Sequence, residues 1–521
     1  GDNSLGAKAR WLDRLTFWSG ELHSLDTVQM RPDELTVFVY LTNRVDTEIA
    51  LQSCRREFWP LSHVSGWHLN LVTSLNIAVE ELGGTPTPEQ VTAWAGQIVR
   101  HIDVEQSNLR VGLSKGFSTP RSVSLQVADQ VDTLAASDGE LANVASRLHG
   151  ASEAAWRKVF AESVAPRLER YARFIRDEYA PLARTNRSLS ALPNGAECYA
   201  ASVRLHTGAD LTWAELADWG ARTESVANER LSRAGASIWG ISNPAAIRRR
   251  LTLEEAALTT DDEVILIDAR TAVQRLSASS ERLFPPLPEN SVSVATYPPD
   301  QRGGMVASYR PSADGSNAGV FWLNPDSERI RDRRSLELIA AHEVAPGHHI
   351  QDLLGHTTDG THPILSLGIN NAFVEGWGLY AESLGRDAGF YEDPYSDFGR
   401  LQMELWRAAR LVVDTGLHDK RWSREEAIAY LQQNTPNPDG DIRKAIERYI
   451  VMPGQATAYM IGKLKIMELR EKARAEVGEN FDIRMFHDVV LLDGPVPLSI
   501  LEENVNAYIE RNRPAGPIMG E

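Results

Sequence analysis

The sequence predicts a mainly α-helical chain in two lobes, with one small β-sheet beside a helix that carries a histidine–glutamate pair. Three observations predict this. Helix-start signals recur along the 521 residues, each followed by apolar residues at three- and four-residue spacing. One segment alone, between positions 291 and 324, alternates like strand. A chain of 521 residues also exceeds what one hydrophobic core usually serves.

In Thr87-Pro88-Glu89-Gln90, Thr is the N-cap, Pro occupies the first turn, and Gln is placed to reach back. Thr212-Trp213-Ala214-Glu215 and Ser423-Arg424-Glu425-Glu426 are capping boxes of the same kind. Amphipathic helix is expected over Trp156 to Ile175 and Leu401 to Val413, among others, and again after the sheet as far as Pro514. The strand signals are Ser291 to Tyr297, Met305 to Tyr309 and Gly319 to Asn324, with Pro311, Asp314, Gly315 and Asn317 as turn residues. They predict a sheet of two to four strands. A lobe boundary is expected near Phe284-Pro285-Pro286, giving an N-terminal helical lobe at 1–285 and a second lobe at 286–521 that holds the sheet.

The formal charge of −17 argues against nucleic acid and anionic membrane surfaces as partners, because both need a basic footprint. No apolar run is long enough to span a bilayer. Cys54 and Cys198 are too few for a disulfide framework or a cysteine zinc site, and free buried thiols are expected over a single Cys54–Cys198 bridge. The first ten residues lack the pattern of a secretory leader, which suggests the cytoplasm; the chain starts with Gly, so secretion stays open.

The chemistry concentrates in Ala341-His342-Glu343-Val344-Ala345-Pro346-Gly347-His348-His349. In a His-Glu-x-x-His helix the two histidines stand one above the other and share a zinc ion, while the Glu serves as general base. Here His342 and His348 are six positions apart, roughly 240° around a regular helix. Pro346 removes an N–H and clashes with the carbonyl four residues back, and Gly347 admits unusual backbone angles. A bulge or kink at this pair is expected to bring His348 back to the metal face. His349 faces the same way as His342 on a regular helix but lies about 10 Å further along it, so His348 is preferred. Glu375, in Phe373-Val374-Glu375-Gly376-Trp377-Gly378-Leu379-Tyr380-Ala381-Glu382, is the best third ligand. Glu382, two turns on, is placed to hold a ligand histidine from behind, with Tyr380 as a polar neighbour.

At these residues the chain resembles the bacterial domain-of-unknown-function family 885. The resemblance rests on His342 to Gln351, Phe373 to Glu382, Glu447-Arg448-Tyr449, Pro453-Gly454-Gln455-Ala456 with Tyr459 and Gly462, the turn-rich Tyr309 to Asn324, and Gly195 to Tyr199. The resemblance implies a metallopeptidase-like, mostly helical protein similar to helical gluzincins, with His342, His348 and Glu375 as ligands of zinc and Glu343 as base. It supplies no substrate.

The expected activity is zinc-dependent hydrolysis of peptide bonds, chiefly in short peptides. The metal lowers the pKa of a bound water, Glu343 takes its proton, and the proton passes to the leaving amine. Tyr459 is the first candidate for a donor to the oxyanion, followed by Tyr449 and His418. Gly319 to Asn324 is a candidate edge strand along the cleft. Arg310, Arg407 and Arg410 are candidates for a substrate carboxylate, against the commoner reading that such arginines pair with nearby acids. Asp414, four residues after Arg410, would be its helical partner. Two other readings compete: a metal-dependent hydrolase of a non-peptide amide or ester, and a non-catalytic binding protein that keeps the fold. The presence of Glu343 counts against the second.

Overall fold

The computed structural model describes residues 2–253, 259, 261–298, 302, 306–312, 316–355, 364, 370–391 and 394–514. The fold is mainly α with one small sheet, as the sequence predicts. All three capping boxes form. The hydroxyls of Thr87, Thr212 and Ser423 accept from the backbone N–H three residues on, and open helices at Pro88–Ser114, Trp213–Trp239 and Arg424–Asn434. The continuous helix read over Trp156 to Ile175 is instead broken by a π-turn at Phe160–Val164. Pro166 follows that turn; its ring excludes the regular helical carbonyl at Glu162, and a widened turn makes the room.

The sheet has three strands, β1 (Ser291–Thr296), β2 (Ala307–Pro311) and β3 (Ala318–Leu323). Their order is β1-β3-β2, with β1 parallel and β2 antiparallel to β3. This corrects the expectation of an edge strand at Gly319 to Asn324. β3 is central because Phe321 and Leu323 point into the core and both of its sides are paired, so the edges belong to β1 and β2. The turn residues Asp314 and Gly315, and the strand residue Met305, lie outside the described residues.

Two large hydrophobic cores draw on residues from both sides of position 285. One gathers Cys198, Leu276 and Phe284 with Phe321, Phe373 and Trp377. The other joins Trp156, Tyr171 and Tyr179 to Trp406 and Tyr449. Cys54 and Cys198 form a disulfide with Cα atoms 4.6 Å apart, where free thiols were expected. The long-range packing of a short helix at Leu51–Cys54 against Gly195–Thr207 brings the two cysteines together across 144 positions, which spacing alone does not reveal. Among the described residues no helix is long and apolar enough to cross a membrane.

Candidate metal centre

The helix that carries His342, Arg333–Glu343, stops at Glu343, and a second helix, His348–Gly355, starts at His348 itself. The sequence predicts one distorted helix; the structure has two, joined by a tight turn with a cis Ala345–Pro346 bond. Pro346 cannot continue the first helix. Gly347 passes so close to the His342 carbonyl that a Cβ would collide with it. The break turns His348 back toward His342. Their ring centroids lie 4.7 Å apart with planes at 84°.

The third group comes from the helix Asn371–Asp387. Glu375 Oε2 lies 3.5 Å from His342 Nε2 and 3.8 Å from His348 Nε2. One ligand atom from each of the three residues falls within 4.8 Å of the others. Two ligands held about 2.0–2.2 Å from one tetrahedral ion stand about 3.4 Å apart, so the spacing and the donor set of two imidazoles and a carboxylate fit zinc. His349 is directed elsewhere: its two ring nitrogens lie 3.1 Å from the Tyr309 hydroxyl and 3.0 Å from Asn290 Oδ1.

Each histidine is held from behind. His342 Nδ1 lies 2.9 Å from Glu382 Oε1, a carboxylate that only accepts, so Nδ1 donates to it and Nε2 is the nitrogen turned to the metal position, where a metal would take the place of its proton. His348 Nδ1 lies 3.0 Å from the Gln351 side-chain oxygen, with the same consequence. Glu382 also accepts from Arg407 Nη2 at 3.2 Å. Burial opposes the charge of His342, but hydrogen bonds to Glu375 and Glu382 outweigh it and push its pKa up to about 10. Burial would raise the pKa of Glu375; His342 and His348 instead hold it far below the usual carboxylate range. A histidine pressed between two carboxylates is an electrostatic setting that favours a cation.

Glu343 accepts from the backbone N–H of Tyr309 on β2 at 2.7 Å through Oε2. The sheet therefore orients this carboxylate by one oxygen and leaves Oε1 for another partner. Tyr459, on the helix Gln455–Val477, donates its hydroxyl to Glu375 Oε1 at 3.0 Å. Burial and the neighbouring Glu375 raise its pKa to about 12, so it stays a donor at neutral pH.

A family match decides where the chain belongs: the family described as "Bacterial protein of unknown function (DUF885)" matches residues 1–505. The chain is a member of that family. No curated protein matches it in sequence. Among solved structures, a "putative lipoprotein" from Colwellia psychrerythraea is 24% identical, with a TM-score of 0.81 over 96% of this chain and 91% of that one. A "putative lipoprotein of unknown function" from Shewanella oneidensis is 16% identical, with a TM-score of 0.79 over 96% and 92%. Both share the fold. A "putative oligoendopeptidase F" from Bacillus anthracis str. Ames, at 13% identity, reaches a TM-score of only 0.29.

In this DUF885 chain His418, Tyr380, Arg310 and Asp414 lie in structural roles. His418 Nε2 bonds the Tyr449 carbonyl at 2.9 Å, and Tyr380 bonds His487 at 2.9 Å. Arg310 lies over the Tyr297 ring at 5.6 Å. Asp414 does not pair with Arg410. It accepts from the Tyr199 hydroxyl at 2.7 Å and from Gly454 N–H at 3.0 Å, which joins two of the segments that carry the family resemblance. Spacing missed four contributors. The Tyr309 N–H is a backbone group and leaves no residue signature. Gln351 stands three residues after His348, a helical neighbour that the spacing rule exposes. Trp377 donates its indole N–H to the Pro346 carbonyl at 3.0 Å. At Gly378 a Cβ would stand 2.5 Å from the His342 ring.

Proposed function

We propose that this chain is a zinc-dependent peptidase that hydrolyses peptide bonds in short peptides. The observation that carries the reading is the convergence of His342 Nε2, His348 Nε2 and a Glu375 oxygen, with a carboxylate at 343 next in sequence to the first of them. Zinc held by His342, His348 and Glu375 would acidify water and polarise a carbonyl. Glu343, held by Tyr309 through one oxygen, uses the other to take a proton from the attacking water and passes it to the leaving amine. Tyr459, protonated beside Glu375, donates to the negative charge that develops on the carbonyl oxygen. Glu382 and Gln351 keep the two imidazoles in the tautomer the chemistry needs.

The Cys54–Cys198 disulfide supports an oxidising compartment over the cytoplasm. The two relatives named as lipoproteins point the same way.

Metal analysis and a peptide library test the proposal. The purified protein should carry about one zinc per chain, H348A should lose it and H349A should keep it. E343Q should retain zinc and lose hydrolysis. Wild-type rates in E343Q, or loss of zinc in H349A with retention in H348A, would overturn the assignment.

A further inference from the structure

The helix Pro394–His418 turns a cationic face toward the metal centre. Arg407 and Arg410, one turn apart, are each only 7% exposed. Arg407 gives one nitrogen to Glu382, while its Nε and Nη1 are buried without a hydrogen-bond partner. Arg410 has no carboxylate partner among the described residues. Its Nε is likewise buried and unpartnered, as is Nε1 of the adjoining Trp406. Aromatic faces lie against its guanidinium, with Trp406 at 5.4 Å, Tyr449 at 5.9 Å and Tyr459 at 5.0 Å, and the further cations Arg407 and Arg448 stand near it. Arg329 nearby is already neutralised by Asp441 at 3.0 Å. Four buried N–H donors and one uncompensated positive charge therefore gather with no acceptor to meet them. A buried cation and buried donors of this kind call for an acceptor.

The position of this charge gives the ligand. Arg410 lies against one side of the Tyr459 ring, and the hydroxyl of that ring bonds Glu375 at 3.0 Å. One tyrosine thus separates the cation from the metal ligands, a short reach for a substrate chain that advances roughly 3.3–3.6 Å per residue. Guanidinium groups bind carboxylates in charge-assisted, often paired hydrogen bonds. Resting on the peptidase reading above, we propose that Arg410, with Arg407 beside it, binds the free C-terminal carboxylate of the substrate. The scissile bond then lies one or two residues from that end, and the enzyme trims C-termini.

The test compares the tripeptide Ala-Ala-Phe with its C-terminal amide, by calorimetry, on the zinc-loaded full chain carrying E343Q to prevent turnover. The free acid should bind at least about tenfold tighter than the amide. Adding R410Q should bring that ratio close to one, and R410K, which keeps a point charge without the fork, should fall between. Equal binding of acid and amide, binding of neither, or a ratio that survives R410Q would overturn the proposal. The acid-to-amide ratio in E343Q alone decides the matter if R410Q does not fold. The two readings fail separately. A wild-type enzyme that leaves both peptides intact while the ratio holds removes the peptidase and keeps the anion site. Equal kcat/KM on acid and amide removes the anion site and keeps the peptidase.

Discussion

The indole N–H of Trp377 reaches the carbonyl of Pro346 at 3.0 Å, so the helix that supplies Glu375 also fastens the turn that redirects His348. Trp377 is fully buried, and its ring packs on Phe284 and Tyr380. Trp377→Phe keeps much of that packing and removes the donor. We expect zinc affinity to fall by about 10–100-fold, as for other groups that hold ligands from behind. Competition with a fluorescent chelator measures it. Unchanged affinity in a folded W377F protein would show that the turn holds its shape without this bond.

The two glycines flanking Trp377 separate packing from chemistry. A Cβ at Gly378 stands 2.5 Å from His342 Cε1, so Gly378→Ala must push the ligand ring. A Cβ at Gly376 stands 2.5 Å from the Gly462 Cα, so Gly376→Ala must push apart two helices. The first should weaken zinc at least about tenfold with little change in the melting temperature of the metal-free protein, because metal geometry tolerates only about 0.5 Å. The second should cost about 1–3 kcal/mol of stability through overpacking. Denaturant titration of both metal-free variants, beside zinc competition, distinguishes the effects. Equal zinc affinity in G378A and wild type would remove Gly378 from its role.

Local signals were legible and long-range ones were not. The capping boxes at Thr87, Thr212 and Ser423 form because three residues decide them. The convergence of residues 342, 348 and 375 was readable because Pro346 and Gly347 announce a break, although the sequence suggested a bent helix where two helices meet. Strand order escaped the reading, since pairing of β3 with both neighbours is set by tertiary packing. The i,i+4 spacing points to Asp414 as the partner of Arg410. Hydrogen bonds from Tyr199 and Gly454, each distant in sequence, took the carboxylate instead. The disulfide joins cysteines 144 positions apart and had no local sign.

That disulfide closes a long loop, and cross-links of this kind stabilise chiefly by restricting the unfolded chain. Reduction, or Cys54→Ser with Cys198→Ser, should cost about 2–4 kcal/mol, read as a lower urea midpoint with a slope that rises as the unfolded chain expands. Zinc binding at low denaturant should be retained, because the bridge and the metal ligands lie on different elements. A midpoint indifferent to reductant would mean that the bridge adds no stability.

Asp414 makes stability depend on pH near neutrality. Burial raises its pKa to about 7, against hydrogen bonds from Tyr199 and Gly454 that pull the other way. In the unfolded chain the same group titrates near pH 3.9. Between these values the folded protein holds a proton that the unfolded one has lost, so the contribution to stability is full below about pH 4 and is lost as pH rises through 7. Gly454 caps the helix that carries Tyr459, so this carboxylate also anchors one wall of the site. Asp414→Asn keeps an oxygen able to accept from both donors and cannot ionise. We expect the melting temperature of D414N relative to wild type to climb from pH 5 to about pH 7 and to level off above it. A difference that stays flat over this range would mean that Asp414 is ionised throughout, its burial offset by the two hydrogen bonds it accepts.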